Sequence, residues 1–304
     1  MGVTDQALAE WNEARKLNSR ISVLHASLGR ALLHIKNDPQ EALIAFQEGL
    51  RTDLQNVALY TGIDQALSIL RHPPQERVSA LEQYPDRASM PTSLVYELIL
   101  NLTEAGEFEK AAALFHDRFF QREEGGTNVR QVWIEVQIQY ALAQAQHGQC
   151  SEAITRVDQL AEPVSDLQFT NDGLEPFLQS ARIRYLVGNI YKSCDFREKA
   201  QASFKQAAEK SNFGDAVWAW KASQQLPDFD HDTAKGKLQT IVEQLKNSGE
   251  GGSVAGWRFY NAGILDNALG NSQQAEVEFR NALLSADSLM TYHLTRLALS
   301  SDTF

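Results

Sequence analysis

Apolar residues recur along this chain at three- and four-residue steps. Ile21, Leu24, Leu28, Leu32 and Ile35 draw one stripe over 21–36, and Ala42, Phe46 and Leu50 draw the next over 39–50. That period is helical. Asp38-Pro39 supplies a cap followed by a first-turn proline. Further stripes fill 91–104, 107–118, 131–147, 150–160, 177–193, 196–210, 231–246, 254–268 and 271–285. No segment sustains a two-residue alternation of β-branched residues, so a sheet is not expected. The breaks at 36–38, 104–106, 146–148 and 269–271 are short and polar. Breaks of that length join antiparallel helices into hairpins. Three interruptions, 122–128, 162–173 and 247–252, are longer and read as exposed loops.

The stripes repeat one another. Gly188-x2-Tyr191 followed by Ala200-x3-Phe204-x2-Ala207 lies over Gly29-x2-Leu32 followed by Ala42-x3-Phe46-x2-Gly49. Gly263 with Ala275-x3-Phe279-x2-Ala282 is a third copy. Gly106-x4-Ala111-x3-Phe115 and Gly148-x4-Ala153-x3-Val157 are weaker ones. Small residues let the two helices of a hairpin approach, and the phenylalanine fills the gap to the next. One hairpin cannot bury both faces, so the units must stack.

This pattern resembles the tetratricopeptide (TPR) repeat, a 34-residue helix–turn–helix. The resemblance implies an all-α, right-handed solenoid of about seven hairpins. The units at 56–84 and 214–248 are degenerate. The unit-ending proline is missing, with Leu54 in its place in the first copy. Residues 1–304 form one helical-repeat domain on this reading. Ala7-x3-Trp11-x2-Ala14 matches only the second helix of a unit, so 1–18 reads as a partial unit. The chain is accordingly expected to be the carboxy-terminal part of a longer protein, with 286–304 as its capping helix. Arg118–Val129 and Ala181–Lys192 also resemble the repeat region of bacterial multi-domain proteins of unknown function, in which a β-rich, mutarotase-like domain comes first. The tryptophan usual in that family's loop is missing here.

Composition narrows the function classes. The chain has 304 residues, is 43% hydrophobic and carries a net charge of −11. It is apolar enough for a core, too acidic for a general nucleic-acid binder, and lacks a membrane-length apolar run. Residues 1–16 show no export signal, which in a chain expected to be a fragment leaves the location unknown and only slightly favours the cytoplasm. Cys150 and Cys194, 44 residues apart, are expected to form neither a disulfide framework nor a thiolate metal site. No catalytic, metal or cofactor motif emerges. Asp228-x-Asp230-x-Asp232 has Thr233 where a calcium loop needs glycine and Gln239 where it needs glutamate. It reads instead as a helix-capping cluster. Gly249–Gly256 has no strand before it. Asn101-Leu102-Thr103 spells a glycosylation sequon within a helix.

The expected function is therefore a non-catalytic scaffold for protein–protein interaction. The resemblance implies that first helices line a concave groove that receives a peptide or helix. Candidate contact residues are Arg182, Tyr185, Asn189 and Lys192 on one helical face, Trp257, Tyr260 and Asn267 on another, and Tyr96 at the matching place in 91–104. Residues 182–210 carry seven Lys/Arg against three acids. The guanidinium, amide and ammonium of 182, 189 and 192 resemble a carboxylate clamp, so the expected partner is an acidic or carboxylate-ended protein or peptide. The alternative is a helical accessory or oligomerisation region serving an upstream enzymatic or carbohydrate-recognising domain of a larger bacterial protein.

Overall fold

The computed structural model describes residues 3–17, 20–116, 118–120, 123–124, 127–162, 167, 174–210, 212, 214–227, 230, 235–236, 238–241, 243–244, 255–285 and 288–300. Its helices are α1 (Val3–Leu17), α2 (Ser22–His34), α3 (Pro39–Leu50), α4 (Val57–Ile69), α5 (Pro74–Leu81), α6 (Thr92–Glu104), α7 (Phe108–Ala113), α8 (Val129–Gln146), α9 (Cys150–Asp158), α10 (Glu175–Leu178), α11 (Ala181–Ser193), α12 (Arg197–Ala208), α13 (Ala216–Ser223), α14 (Ala255–Ala268), α15 (Ser272–Ser285) and α16 (Leu289–Ser300). A two-residue antiparallel ladder, Glu123–Glu124 with Thr127–Asn128, sits in the loop before α8. It is the one sheet among the described residues, where none was expected.

Six helix pairs are hairpins. Each turn contains one residue with positive φ: Asn37, Arg71, Gly106, Gly148, Asp195 and Gly270. The first three are spaced at 34 and 35 residues, the repeat period. The left-handed turn at Arg71 reveals the degenerate unit as an ordinary hairpin of α4 and α5. First helices α2, α4, α6, α8, α11 and α13 pack in series as an inner row.

Inside the hairpins the small-residue pattern works as read. A Cβ on Gly29 would lie 2.4 Å from the Phe46 ring, one on Gly188 2.5 Å from Phe204, and one on Gly263 2.6 Å from Phe279. Gly62 of the next unit meets the other face of this arrangement, 2.5 Å from Phe46. One phenylalanine thus seals its own hairpin and the step to the following one. This is the TPR-like helical repeat that the alanine, glycine and phenylalanine spacing predicts.

Two expectations change, on the cysteines and the last helix, while the sequon lies within a helix as expected. Cys150 and Cys194 form a disulfide with their Cα atoms 5.5 Å apart. Cys150 opens α9 and Cys194 caps α11, so stacking brings the turn ends of neighbouring hairpins together despite the sequence gap. Asn101 of the sequon is fully buried, donating to Asp64 and accepting from Arg77. The last helix is more than a cap: α16 packs against α6, and α15 against α2 and α4. The carboxy-terminal helices therefore fold back into the concavity of the amino-terminal units. The acidic triplet at 228–232, apart from Asp230, and the glycine run at 249–254 lie outside the described residues.

Candidate functional site

The inner row carries buried charge. Asp64 of α4, Glu97 of α6 and Glu135 of α8 are nearly inaccessible, and so is the side chain of Glu104 at the end of α6. Arg77 reaches in from α5 to bond Asn101 and Glu104. Arg182 of α11 closes a bidentate pair on Glu135, with nitrogen–oxygen distances of 2.5 and 2.7 Å. The remaining cations come from α16. The fully buried His293 places Nδ1 2.7 Å from Glu104 and Nε2 3.2 Å from Glu135. Arg296 donates to Glu104 at 2.9 Å and lies 3.7 Å from Asp64.

Burial alone would raise the Glu104 and Glu135 carboxyls. Arg296, His293 and Arg77 around Glu104, and Arg182 and His293 around Glu135, outweigh it and hold both far below the usual range. Burial likewise disfavours the His293 cation, but the two carboxylates on its ring nitrogens win and raise its pKa. Glu97 goes the other way. Burial and the neighbouring Asp64 push it to about 8 against its Thr61 hydrogen bond and Arg296.

Beside this network the groove widens into a cavity of about 540 Å³. Ile134 and Glu135 of α8, Arg182 of α11, Trp218 of α13, Trp257 and Tyr260 of α14, and Met290 and Leu294 of α16 line it. Trp257 is 38% exposed and lies against Gly214, where a Cβ would come within 3.1 Å of the indole. Tyr260 is 4% exposed, and its hydroxyl has no hydrogen-bond partner among the described residues. Its pKa is pushed up to about 12 by burial, which prevails over the opposing Arg182; Glu135 adds to the rise. Asp215, also on the wall, is committed to the Ala181 amide and Asn212. The wall also carries Tyr260, whose buried hydroxyl has no partner among the described residues, the half-buried Lys210 and the half-buried Gln131. Among the described residues, no histidine or cysteine lines it.

The sequence candidates divide. Arg182, Trp257 and Tyr260 converge on the cavity from two distant stretches. Tyr185 is half-buried between Phe204 and Trp218, at centroid distances of 5.9 and 5.7 Å. Asn189 and Asn267 are half-buried and outside the cavity wall. Lys192 is exposed and donates to Gln225. Tyr96 is buried and stacked on Phe120. On α8 the residue opposite Arg182 is Glu135, and Gln137 two positions on turns elsewhere. Gln137 instead accepts from Arg156. A lone glutamate inside Val132–Ile138 was the available signal, because a buried acid demands a partner. The basic stretch 182–210 is also not one surface: Arg182 faces Glu135 while Lys199 pairs with Asp158.

No family model matches the chain, and neither does any curated protein. Among solved structures it is similar to YrrB, described as a TPR protein with an unusual peptide-binding site, at 19% identity over 75% of this chain and 97% of that one, with a TM-score of 0.44. It is also similar to a tetratricopeptide repeat protein of Parabacteroides merdae, at 13% identity, 91% and 98% coverage and a TM-score of 0.44. A third is the C-terminal part of a TPR protein of Cytophaga hutchinsonii, at 14% identity, 86% and 96% coverage and a TM-score of 0.41. No described helix is long and apolar enough to cross a membrane, and no described cluster of His, Cys, Asp or Glu is arranged to hold a metal.

Proposed function

We propose that this chain is a non-catalytic interaction scaffold that takes a carboxylate-bearing segment of a partner protein into the cavity between α8, α11, α13, α14 and α16. The observation that carries this reading is Tyr260 on the cavity wall, whose buried hydroxyl has no hydrogen-bond partner among the described residues. A buried polar group without a partner is costly, and a ligand acceptor would relieve that cost. The walls suit such a segment: Trp218 and Trp257 offer apolar faces, and Lys210 offers a charge for the carboxylate. The fold-back of α16 fills the groove elsewhere and leaves this stretch open.

The test is a panel of short peptides, each made with a free and an amidated carboxy terminus, titrated by tryptophan fluorescence. Free-acid peptides with an apolar last residue are expected to bind, and their amides at least tenfold more weakly. Tyr260→Phe removes only the donor and should weaken binding about fivefold. Equal binding of acid and amide forms, or an unaffected Tyr260→Phe chain, would defeat this assignment.

A further inference from the structure

The last helix is packed as a ligand would be. Seven residues of α16 are buried, and four of them (Thr291, His293, Thr295 and Arg296) are polar or charged. A helix recruited only to complete a core buries an apolar stripe. This one presents a cationic pair three residues apart to carboxylates on three successive first helices. We propose that the concave face of α4, α6 and α8 is a docking groove for a cationic helix, that residues 289–300 occupy it in cis, and that a helix of the same chemistry from another molecule competes for it.

Charge supports this occupant. The groove's own walls set Asp64, Glu104 and Glu135 against Arg77 and Arg182, an excess of carboxylate. His293 and Arg296 supply the balance, and both bond Glu104. The contact is also of an exchangeable kind. Buried ion pairs give up hydration to form, so separating them returns solvation that an apolar contact would not. The outer seam is thin and polar. His34 meets the Leu284 carbonyl at 3.0 Å, and Arg71 pairs with Glu276 at 2.7 Å with both side chains about half exposed. Such exposed pairs hold an interface only lightly.

The seam gives a test that spares the buried network. A fluorescent peptide with the sequence of residues 288–300 is titrated against the full chain by anisotropy. Glu276→Arg faces Arg71 with a like charge, loosens the fold-back and should tighten peptide binding about three- to tenfold. Adding Arg71→Glu restores the pair with its charges reversed and should return binding to the weak wild-type level. A control peptide with His293→Ala and Arg296→Ala should not bind either chain. The proposal is overturned if the folded Glu276→Arg chain binds no better than wild type, if the double reversal fails to restore the weak level, or if the control peptide binds equally well. Hydrogen exchange on the unmodified chain reads the same exchange directly. Raising the salt concentration should speed exchange in 289–300 before α6 or α11; simultaneous loosening of all three would overturn the proposal as well. The probe is the chain's own helix, so failure here leaves the cavity reading untouched.

Discussion

Glu97 is the carboxyl that the inner groove satisfies least. One oxygen accepts from Thr61 at 2.8 Å, while the other is buried without a partner among the described residues. With its folded pKa near 8 against an ordinary 4.5, it is neutral in the fold while ionised in the unfolded chain at neutral pH. A raised folded pKa gives stability that is complete below the unfolded value and lost as pH climbs to the folded one. His293 follows the same sign, its contribution fading as pH rises through its own raised pKa. Glu104 and Glu135, with lowered values, lose theirs only in acid. Stability should therefore peak at mildly acid pH and decline toward pH 8 and above. Glu97→Gln, which mimics the neutral acid, should flatten that decline and stabilise the chain by about 1–3 kcal/mol at alkaline pH. Denaturant melts across pH check both. These residues were hardly legible beforehand. Glu135 stands out in an apolar run, but its partners Arg182 and His293 lie 47 and 158 residues away. No local period links them.

At the scale of the element, the phenylalanine that closes each hairpin depends on a missing side chain opposite. Gly188→Ala would place a methyl 2.5 Å from Phe204, which is buried and cannot retreat freely. Overpacking of this kind costs about 1–3 kcal/mol. The expected outcome is a lower unfolding midpoint, partly rescued by Phe204→Leu, and thermal melts of the single and double variants would read it. Here the sequence was informative because the rule is local. Gly29, Gly188 and Gly263 announce phenylalanines 17, 16 and 16 residues later, and Asp38 caps α3 by accepting from the Glu41 amide as its position foretold. The hairpin of α4 and α5 was obscure for an equally local reason. Arg71 takes the left-handed turn where other units use glycine, asparagine or aspartate, and α5 begins on Pro73-Pro74 without the anchoring alanine.

For the whole molecule, two long-range ties decide the shape, and neither has a sequence period. One is the Cys150–Cys194 disulfide, which joins consecutive hairpins at their turn ends. Disulfides persist in oxidising compartments and are rare in the reducing cytosol. Closing a loop of 44 residues is worth up to about 4 kcal/mol by chain entropy. Reduction, or Cys150→Ser with Cys194→Ser, should lower the denaturation midpoint by a corresponding amount while leaving the helical signal intact. The other tie is the fold-back of α16, which converts a groove expected to receive a partner into a closed inner seam beside the cavity.

That seam gives His293 a mechanical role. A single rigid ring touches Glu104 with one nitrogen and Glu135 with the other, and those carboxylates belong to successive units. An imidazole cannot lengthen, so it works as a caliper on the pitch of the stack. Stretching or unbending the superhelix at that step must break one of the two hydrogen bonds. Tension applied along the solenoid would thus load a residue that, together with Arg296, also holds the last helix in place.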